Sequence, residues 1–435
     1  MLPVERAVSA FRANRAKPVA DSLSGITRVV ALAATRNVRN LWLTGLFTGS
    51  IRWTEILVIG IYTYQQTRSP LMVAFLAFLN AVPGTLFGVL VGAIGERFNR
   101  RTLLLIGYTI VLFLMVGLTL LGLTDRLELW HVAVGTFLSG TVWTMEFPVR
   151  RTLLGEFSGL ERASTALTFD VATGTTTMFL GPLLGGFLMR DFGLHAFYLM
   201  SAAALCMALI FVSLVRFSAV STTLKSVRFL QSVRDGFSHV RHNKPVLGVL
   251  FVTIILNFFG FSFMSMLPVI GAEKLGLGPV PIGILTSMEG AGALCGLLLL
   301  TVYASPRYFM RLFIGGAVSL LVAIMVFSVT SWYGLALCVL FVGGLGEAGF
   351  GAMQSTITFT ATPSAMRSRI MGLLVVCIGF GPLGMLHTGV MAEWLGANVA
   401  IGVIALEGFA ATLVCVWLLP TLRKAEVEPA EDRDG

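Results

Sequence analysis

Apolar runs of about 20 residues, each long enough to cross roughly 30 Å of hydrocarbon as a helix, recur throughout this 435-residue chain. Six fall near 41–64, 71–94, 102–123, 130–147, 165–189 and 194–215. After a polar stretch over 216–245 they resume near 246–270, 281–302, 309–329, 332–353, 369–391 and 397–419. Charged residues approach about a quarter of a soluble domain, whereas this chain is 56% hydrophobic and 12% charged. The pattern predicts an all-α membrane protein with twelve transmembrane helices, numbered here as spans 1 to 12.

Basic residues set the expected orientation, because Lys and Arg near helix ends are retained on the cytoplasmic side. Of the 31 Lys and Arg, 26 lie in the N-terminal segment, the loops after the even-numbered spans and the tail. The odd-numbered loops hold only Arg68, Arg126, Arg190 and Lys274, and Arg52 lies within span 1. Both termini are therefore expected in the cytoplasm of a multi-pass inner-membrane protein. The net charge of +9 is mostly this topological signal, so it does not argue for nucleic acid; contact with anionic lipid headgroups is its modest functional meaning.

The expected domains are a basic N-terminal segment (1–40), a six-helix bundle (41–215), a cytoplasmic linker (216–245), a second six-helix bundle (246–420) and a tail (421–435). Val29 to Ala34, between Arg28 and Arg36, is shorter than a signal-peptide core, so no cleaved leader is expected. The five Cys sit in predicted spans without CxxC spacing and read as small core residues, not as a metal site or disulfide framework. No HExxH, GxSxG or Walker loop is present, so neither an enzyme, a cofactor nor a metal is expected. Without an ATP-binding loop, uphill work would draw on an ion or substrate gradient unless a separate ATPase served it.

Short stretches echo between the halves. Gly181-Pro182-Leu183 in span 5 returns as Gly381-Pro382-Leu383 in span 11, Phe137 to Gly140 resembles Phe341 to Gly344, and Ser69-Pro70 lines up with Gly278-Pro279. The offsets are 200, 204 and 209 residues, in register across corresponding spans, which favours duplication of a six-helix unit.

Between spans 2 and 3 the chain reads Gly92-Ala-Ile-Gly-Glu96-Arg97-Phe-Asn99-Arg100-Arg101. This resembles the cytoplasmic signature of the major facilitator superfamily, with Glu96 for the usual Asp and Asn99 for the usual Gly. Its second-half copy survives only as Arg307 and Arg311. Span 5 carries Gly181-Pro182-Leu-Leu-Gly185-Gly186, similar to the tail of the antiporter motif of proton-coupled exporters. Pro loosens one backbone hydrogen bond and Gly lets helices approach closely; a generic kinked, tightly packed helix is the alternative. Together these stretches most resemble the bacterial exporter branch that includes the enterobactin exporter and macrolide efflux proteins. The resemblance implies two pseudo-symmetric six-helix bundles of the major facilitator fold, alternating access, protons and a small molecule as transported partners, and a functional monomer in the bilayer.

Ionisable groups at membrane depth cost about 2.5 to 3.5 kcal/mol on insertion scales, so each calls for a partner or a watery cavity. Glu96, Arg97, Glu146, Arg150, Arg151 and Asp170 map near the cytoplasmic ends of spans 2 to 5. The resemblance implies a gate or scaffold for them, with Asp170 the member expected to titrate. Deeper positions are better cavity candidates. Aligning the repeats sets Asn80 opposite Glu289 and Arg52 opposite Asn257, in spans that line the cavity in the resembling family; gluing helices together is the other role open to Asn80 and Asn257. Glu347 stays open, and Glu407 and His387 are taken as packing or interface groups.

Arg52 and Glu55 stand three residues apart on one face of span 1. Mutual neutralisation within the helix is the plain explanation; the functional one is that Arg52 contacts an anionic group on the substrate or holds Glu55 ionised until substrate arrives. A carboxyl that cycles its proton needs a pKa near working pH, and Glu289 and Glu55 are the acids to test first. The expected function is proton-coupled efflux of drug-like or siderophore-like amphiphiles. A lipid or lysolipid flippase, an importer, and a non-transporting assembly protein of the same fold remain alternatives.

Overall fold

The computed structural model of the protein describes residues 32, 34–97, 99–159, 162–215, 240, 241, 243–363 and 366–423, with the side chains of 89–97 and 368 also set aside. Most of the expected N-terminal segment, linker and tail, and the side chains of Glu96 and Arg97, lie outside the described residues, and Gly92 is described only as part of a helix.

The first bundle comprises span 1 (Arg36–Thr67), span 2 (Pro70–Arg97), span 3 (Arg100–Leu123), span 4 (Leu129–Ser158), span 5 (Ala163–Asp191) and span 6 (Leu194–Ser213). In the second bundle, span 7 runs from Lys244 to Glu273, span 8 is Pro279–Tyr303, span 9 Phe309–Val329 and span 10 Tyr333–Thr360. Span 11 is split into Arg367–Ile378 and Gly381–Leu395, and span 12 is Ala397–Leu418. Ten of the described helical stretches are apolar and long enough to cross a membrane. The remaining two, spans 1 and 4, have the length but carry Arg52, Glu55, Glu146, Arg150 and Arg151.

Local chemistry sets the ends. Asn99, the departure from the loop signature, caps span 3: its side-chain oxygen accepts from the backbone N–H groups of Arg101 (3.0 Å) and Thr102 (3.4 Å). Gly193 between spans 5 and 6 and Gly396 between spans 11 and 12 both take positive φ, +77° and +84°, where a side chain would be strained. They are a further repeat pair, 203 residues apart. Span 4 runs eleven residues beyond its expected end at 147, because the helix persists past the apolar stretch, and that extension carries Arg150 and Arg151.

Two spans expected as plain helices are irregular. Span 7 passes from α-helix into a π turn (Leu256–Gly260) and then a 3-10 stretch (Phe261–Met266), before resuming at Leu267. Pro268, without an N–H, sits where regular helix resumes. In span 11 two glycines precede Pro382, and the helix breaks at Gly379-Phe380; Thr85 of the first bundle donates to the released Gly379 carbonyl at 2.9 Å. Span 5 has one glycine before Pro182 and stays continuous.

Each bundle buries its own apolar core. Leu104, Met115, Leu153 and Phe197 lie in the first core, and Met266, Phe313, Phe327 and Ile357 in the second. Large apolar side chains such as Phe113, Val302 and Trp417 face outward. Cys206, Cys295 and Cys338 are among the exposed residues; only Cys377 and Cys415 are buried, which corrects the expectation of five core cysteines. Lipid tails are as apolar as leucine, so close backbone approach, not exclusion of water, holds such helices together.

The glycines show where. A Cβ on Gly140 would strike the Asn80 carbonyl oxygen, and one on Gly344 the Glu289 carbonyl oxygen. Thus span 4 packs on span 2 as span 10 packs on span 8, with the aligned pair Asn80 and Glu289 at the same place in each. Between bundles, span 5 packs on span 8 and span 2 on span 11.

Gly344→Val should cost about 1–3 kcal/mol through overpacking against a backbone that cannot yield, read as a lower unfolding temperature in detergent. Gly351→Ala, with nothing within 4 Å of its Cβ position, should leave that temperature unchanged or raise it slightly.

Candidate functional site

Span 4 presents Thr136, Ser139, Trp143, Glu146 and Arg150 at alternating steps of three and four, a single helical face. Span 1 answers with Thr48, Arg52 and Glu55. Arg52 does not close an ion pair with Glu55 among the described residues. Its guanidinium donates to Asn80 Oδ1 and lies over the Trp143 ring, 4.2 Å from the centroid. Glu55, 1% exposed, accepts from Ser139 Oγ at 2.8 Å. Asn80 also donates through Nδ2 to the Thr136 carbonyl at 3.4 Å. The two charges of span 1 are thus held apart by a polar frame from spans 2 and 4.

One helical turn further along span 4 lies a closed ionic cluster. Arg150 pairs with Glu146 through Nε and with Asp170 of span 5 through Nη1, and Arg151 Nε reaches Asp170 Oδ2 at 3.0 Å. Thr48 and Tyr108 each donate to Glu146 Oε1 at 3.3 Å. Gly45 of span 1 makes room, since a Cβ there would collide with the Arg150 guanidinium. Two acids and two arginines balance in charge, and Asp170 is the acceptor shared by both arginines. The described part of the loop signature serves the same bundle: Arg100 pairs with Glu156, and Arg101 donates to the last carbonyls of span 6.

The second bundle differs. Glu289 of span 8 is fully buried, and neither carboxylate oxygen has a hydrogen-bond partner among the described residues. Glu347 of span 10 is its electrostatic neighbour, and one Glu347 oxygen is likewise unpartnered. Asn257, at the π turn of span 7, donates to its own helix at the Thr253 carbonyl (2.9 Å). Gln354 of span 10 donates to the Thr253 hydroxyl at 2.7 Å. Asn257 therefore stands apart from Arg52, although the repeats align them.

Three cavities among the described residues meet at Arg52, one of them inside the first bundle, walled by Tyr108, Val111 and Leu205. A polar one of about 820 Å³ brings Arg52, Trp143, Glu146 and Asp170 together with Glu347 of the other bundle. A more apolar one of about 570 Å³ lies between the bundles, where Arg52, Glu55 and Asn80 face Met264, Ser265 and Met385.

The span 5 motif lies at the joint. Gly181 packs on Trp53 and Gly185 on Val58 of span 1, while Gly186 packs on Pro279 and Gly283 of span 8. Among the described residues, the hydrogen bonds between the bundles gather toward the end carrying the odd-numbered loops. There Tyr64 donates to Glu273, and Glu393 of span 11 accepts from Ser69 Oγ (2.8 Å) and the Leu71 N–H (3.2 Å), capping span 2 across the bundle boundary. Among the described residues, no hydrogen bond joins the bundles beyond the Thr85–Gly379 contact toward the even-loop end. At that end, Gly155, Gly174, Gly351 and Gly372 have nothing within 4 Å of their Cβ positions.

Ser139, Trp143, Thr48, Tyr108 and Glu393 were not singled out from the sequence. The three-four spacing along span 4 was a legible signal for the first two; nothing local marks Glu393.

A family pattern described as Major Facilitator Superfamily matches residues 41–381. The Bacillus subtilis (strain 168) protein named "Uncharacterized MFS-type transporter YfiS" is 24% identical over 363 residues, covering 80% of this chain and 85% of that one. Macrolide efflux protein A of Streptococcus pyogenes is 18% identical over 347 residues, covering 79% and 86%. Among solved structures, a bacterial homologue of the human lysosomal transporter Spinster, inward-facing and unoccupied, aligns with a TM-score of 0.65 at 15% identity over 91% of this chain and 99% of that one. That likeness concerns the fold alone.

Arg150→Met leaves two buried carboxylates without their shared cation and should cost about 3–5 kcal/mol, seen as lower folded yield and an earlier unfolding transition. The triple variant E146Q/R150M/D170N, which removes the charges together, should recover most of that loss.

Proposed function

The chain belongs to the Major Facilitator Superfamily, and from that premise we propose that it exports amphiphilic small molecules by alternating access, driven by proton antiport. Basic residues concentrate at the even-loop end, which supports placing that end and both termini in the cytoplasm. The inner membrane is then the expected location, and the closed odd-loop end faces outward. In this state the polar cavity is the loading side.

The buried, unpartnered Glu289 carries the coupling proposal. Glu146 and Asp170 are tied to arginine, so changing their protonation would break an ion pair. Glu289 has no such bond to lose, and it neighbours Glu347, which reaches the loading cavity. A proton taken up by this pair from outside and released inward would oppose substrate moving out.

The substrate reading rests on the walls. Met264 and Met385 supply adaptable apolar contact, and Arg52 with Asn80 supplies a fixed polar floor. That combination suits a molecule with an apolar body and one anionic or hydrogen-bonding end. A drug-like or siderophore-like compound fits this description, and one chain provides every element invoked.

In inverted membrane vesicles given a proton gradient, the protein should accumulate an amphiphilic dye, and Glu289→Gln should abolish that accumulation while leaving dye binding within about twofold. Unchanged proton-driven transport by the variant would reject the role of Glu289. Movement of dye in the opposite direction would indicate an importer, lysolipid movement alone a flippase, and no movement of either an assembly role. Arg52→Ala should alter the substrate range; normal transport by it would leave Arg52 as a structural charge.

A further inference from the structure

Outside the transport path, spans 8, 9 and 10 line an open groove at the even-loop end. Gly296, Gly315 and Gly349 lie along it among leucines, and Tyr303, Tyr308 and Arg311 stand where spans 8 and 9 meet their connecting loop. No acid lines it. From Arg311 to Ser319, the furthest lining residue of span 9, the helix rises about 12 Å. The groove thus runs from headgroup depth, where tyrosines are favoured, into the hydrocarbon.

The repeat explains why Arg311 is available. Its counterpart in the first bundle, 210 residues earlier, is Arg101, whose guanidinium is spent on the last carbonyls of span 6: Val212 at 3.2 Å and Ser213 at 2.6 Å. In span 12 the matching carbonyls, 204 residues on, are those of Val416 and Trp417. They are already served by Arg423, at 3.1 and 3.4 Å. A different arginine has taken over the capping task, and Arg311 has no protein partner among the described residues. Nearby Arg307 stacks on Tyr308, 4.6 Å from the ring centroid, and has no acidic partner among the described residues. In the first bundle, by contrast, Arg100 is paired with Glu156.

We propose that this groove binds one anionic glycerophospholipid, its phosphate held by Arg311 with Arg307 alongside and an acyl chain lying over the glycine floor. Charge complementarity selects the headgroup: among the described residues neither Arg311 nor Arg307 has a carboxylate partner, and no acid lines the groove. The leucine walls select a lipid over a free phosphate ion, which would leave that apolar surface uncovered.

The test uses the full chain in neutral detergent with Leu299→Trp placed in the groove wall, and reads quenching of that residue above the parent background. Brominated phosphatidylglycerol should quench it at lower mole fraction than brominated phosphatidylcholine. Adding Arg311→Gln should weaken the phosphatidylglycerol response about fivefold, the worth of one basic residue near an anionic headgroup, and leave the phosphatidylcholine response unchanged. The unfolding temperature in lipid-free detergent should match the parent, separating lost binding from misfolding. Equal quenching by both lipids, or no effect of Arg311→Gln, overturns the proposal. Competition by millimolar inorganic phosphate would reassign the site to the free ion, and quenching that fades as protein concentration rises would reassign the groove to a second copy of the chain.

Discussion

Burying charge in a hydrocarbon setting is expensive, and the interior of this protein is organised around that expense. The first bundle meets it by closure. Arg150 stands between Glu146 and Asp170, Arg151 supports Asp170, and Thr48 and Tyr108 complete the shell around Glu146. The framework reaches spans 1, 3, 4 and 5, so the ionic cluster also fixes how those helices sit. Arg52 and Glu55 extend it toward the bundle interface, held by Asn80, Ser139 and Trp143. In the second bundle Glu289, aligned with Asn80, has no hydrogen-bond donor among the described residues. The buried acids of the first bundle, by contrast, all have hydrogen-bond partners among the described residues.

Backbone contact carries the second constraint. Gly140 against the Asn80 carbonyl and Gly344 against the Glu289 carbonyl are the same joint built twice, whereas the spans facing across the bundles differ between halves. Span 1 is one continuous helix; its partner, span 7, carries a π turn and a 3-10 stretch. Span 5 is continuous; span 11 breaks before its Gly-Pro and borrows a hydrogen bond from Thr85. Irregular backbone at membrane depth is tolerated where protein satisfies it, and both breaks occur in spans of the second bundle that face the first. A change of shape at either break would disturb fewer helical bonds than one in the continuous spans 1 and 5.

Much of this was legible in the residues. Span number and class followed from the length and apolarity of the runs. The duplication followed from Gly181-Pro182 and its echo, and the Asn80–Glu289 correspondence survives as matched glycine joints. The Arg52–Glu55 pair was less legible: three-residue spacing suggests a mutual contact, yet Asn80 and Ser139, distant in sequence, take the two groups separately. Asp170 was grouped from the sequence with Glu146, Arg150 and Arg151, but only folding shows that both arginines reach it. The end of span 4 was misjudged because hydropathy marks the limit of the hydrocarbon, not the limit of the helix.

The sequence by itself determined a twelve-span membrane chain built from two related halves, because the need to satisfy backbone bonds in lipid leaves long apolar segments few other folds. Tertiary structure alone decided which buried charges are spent and which remain available. Partnership at membrane depth depends on distances between helices, and those distances are set by glycine faces and broken turns that no single span reveals. Arg101 and Arg311 have the same residue type and the same place in the repeat. Only the packed structure shows that one caps span 6, while Arg423 has relieved the other of the same task.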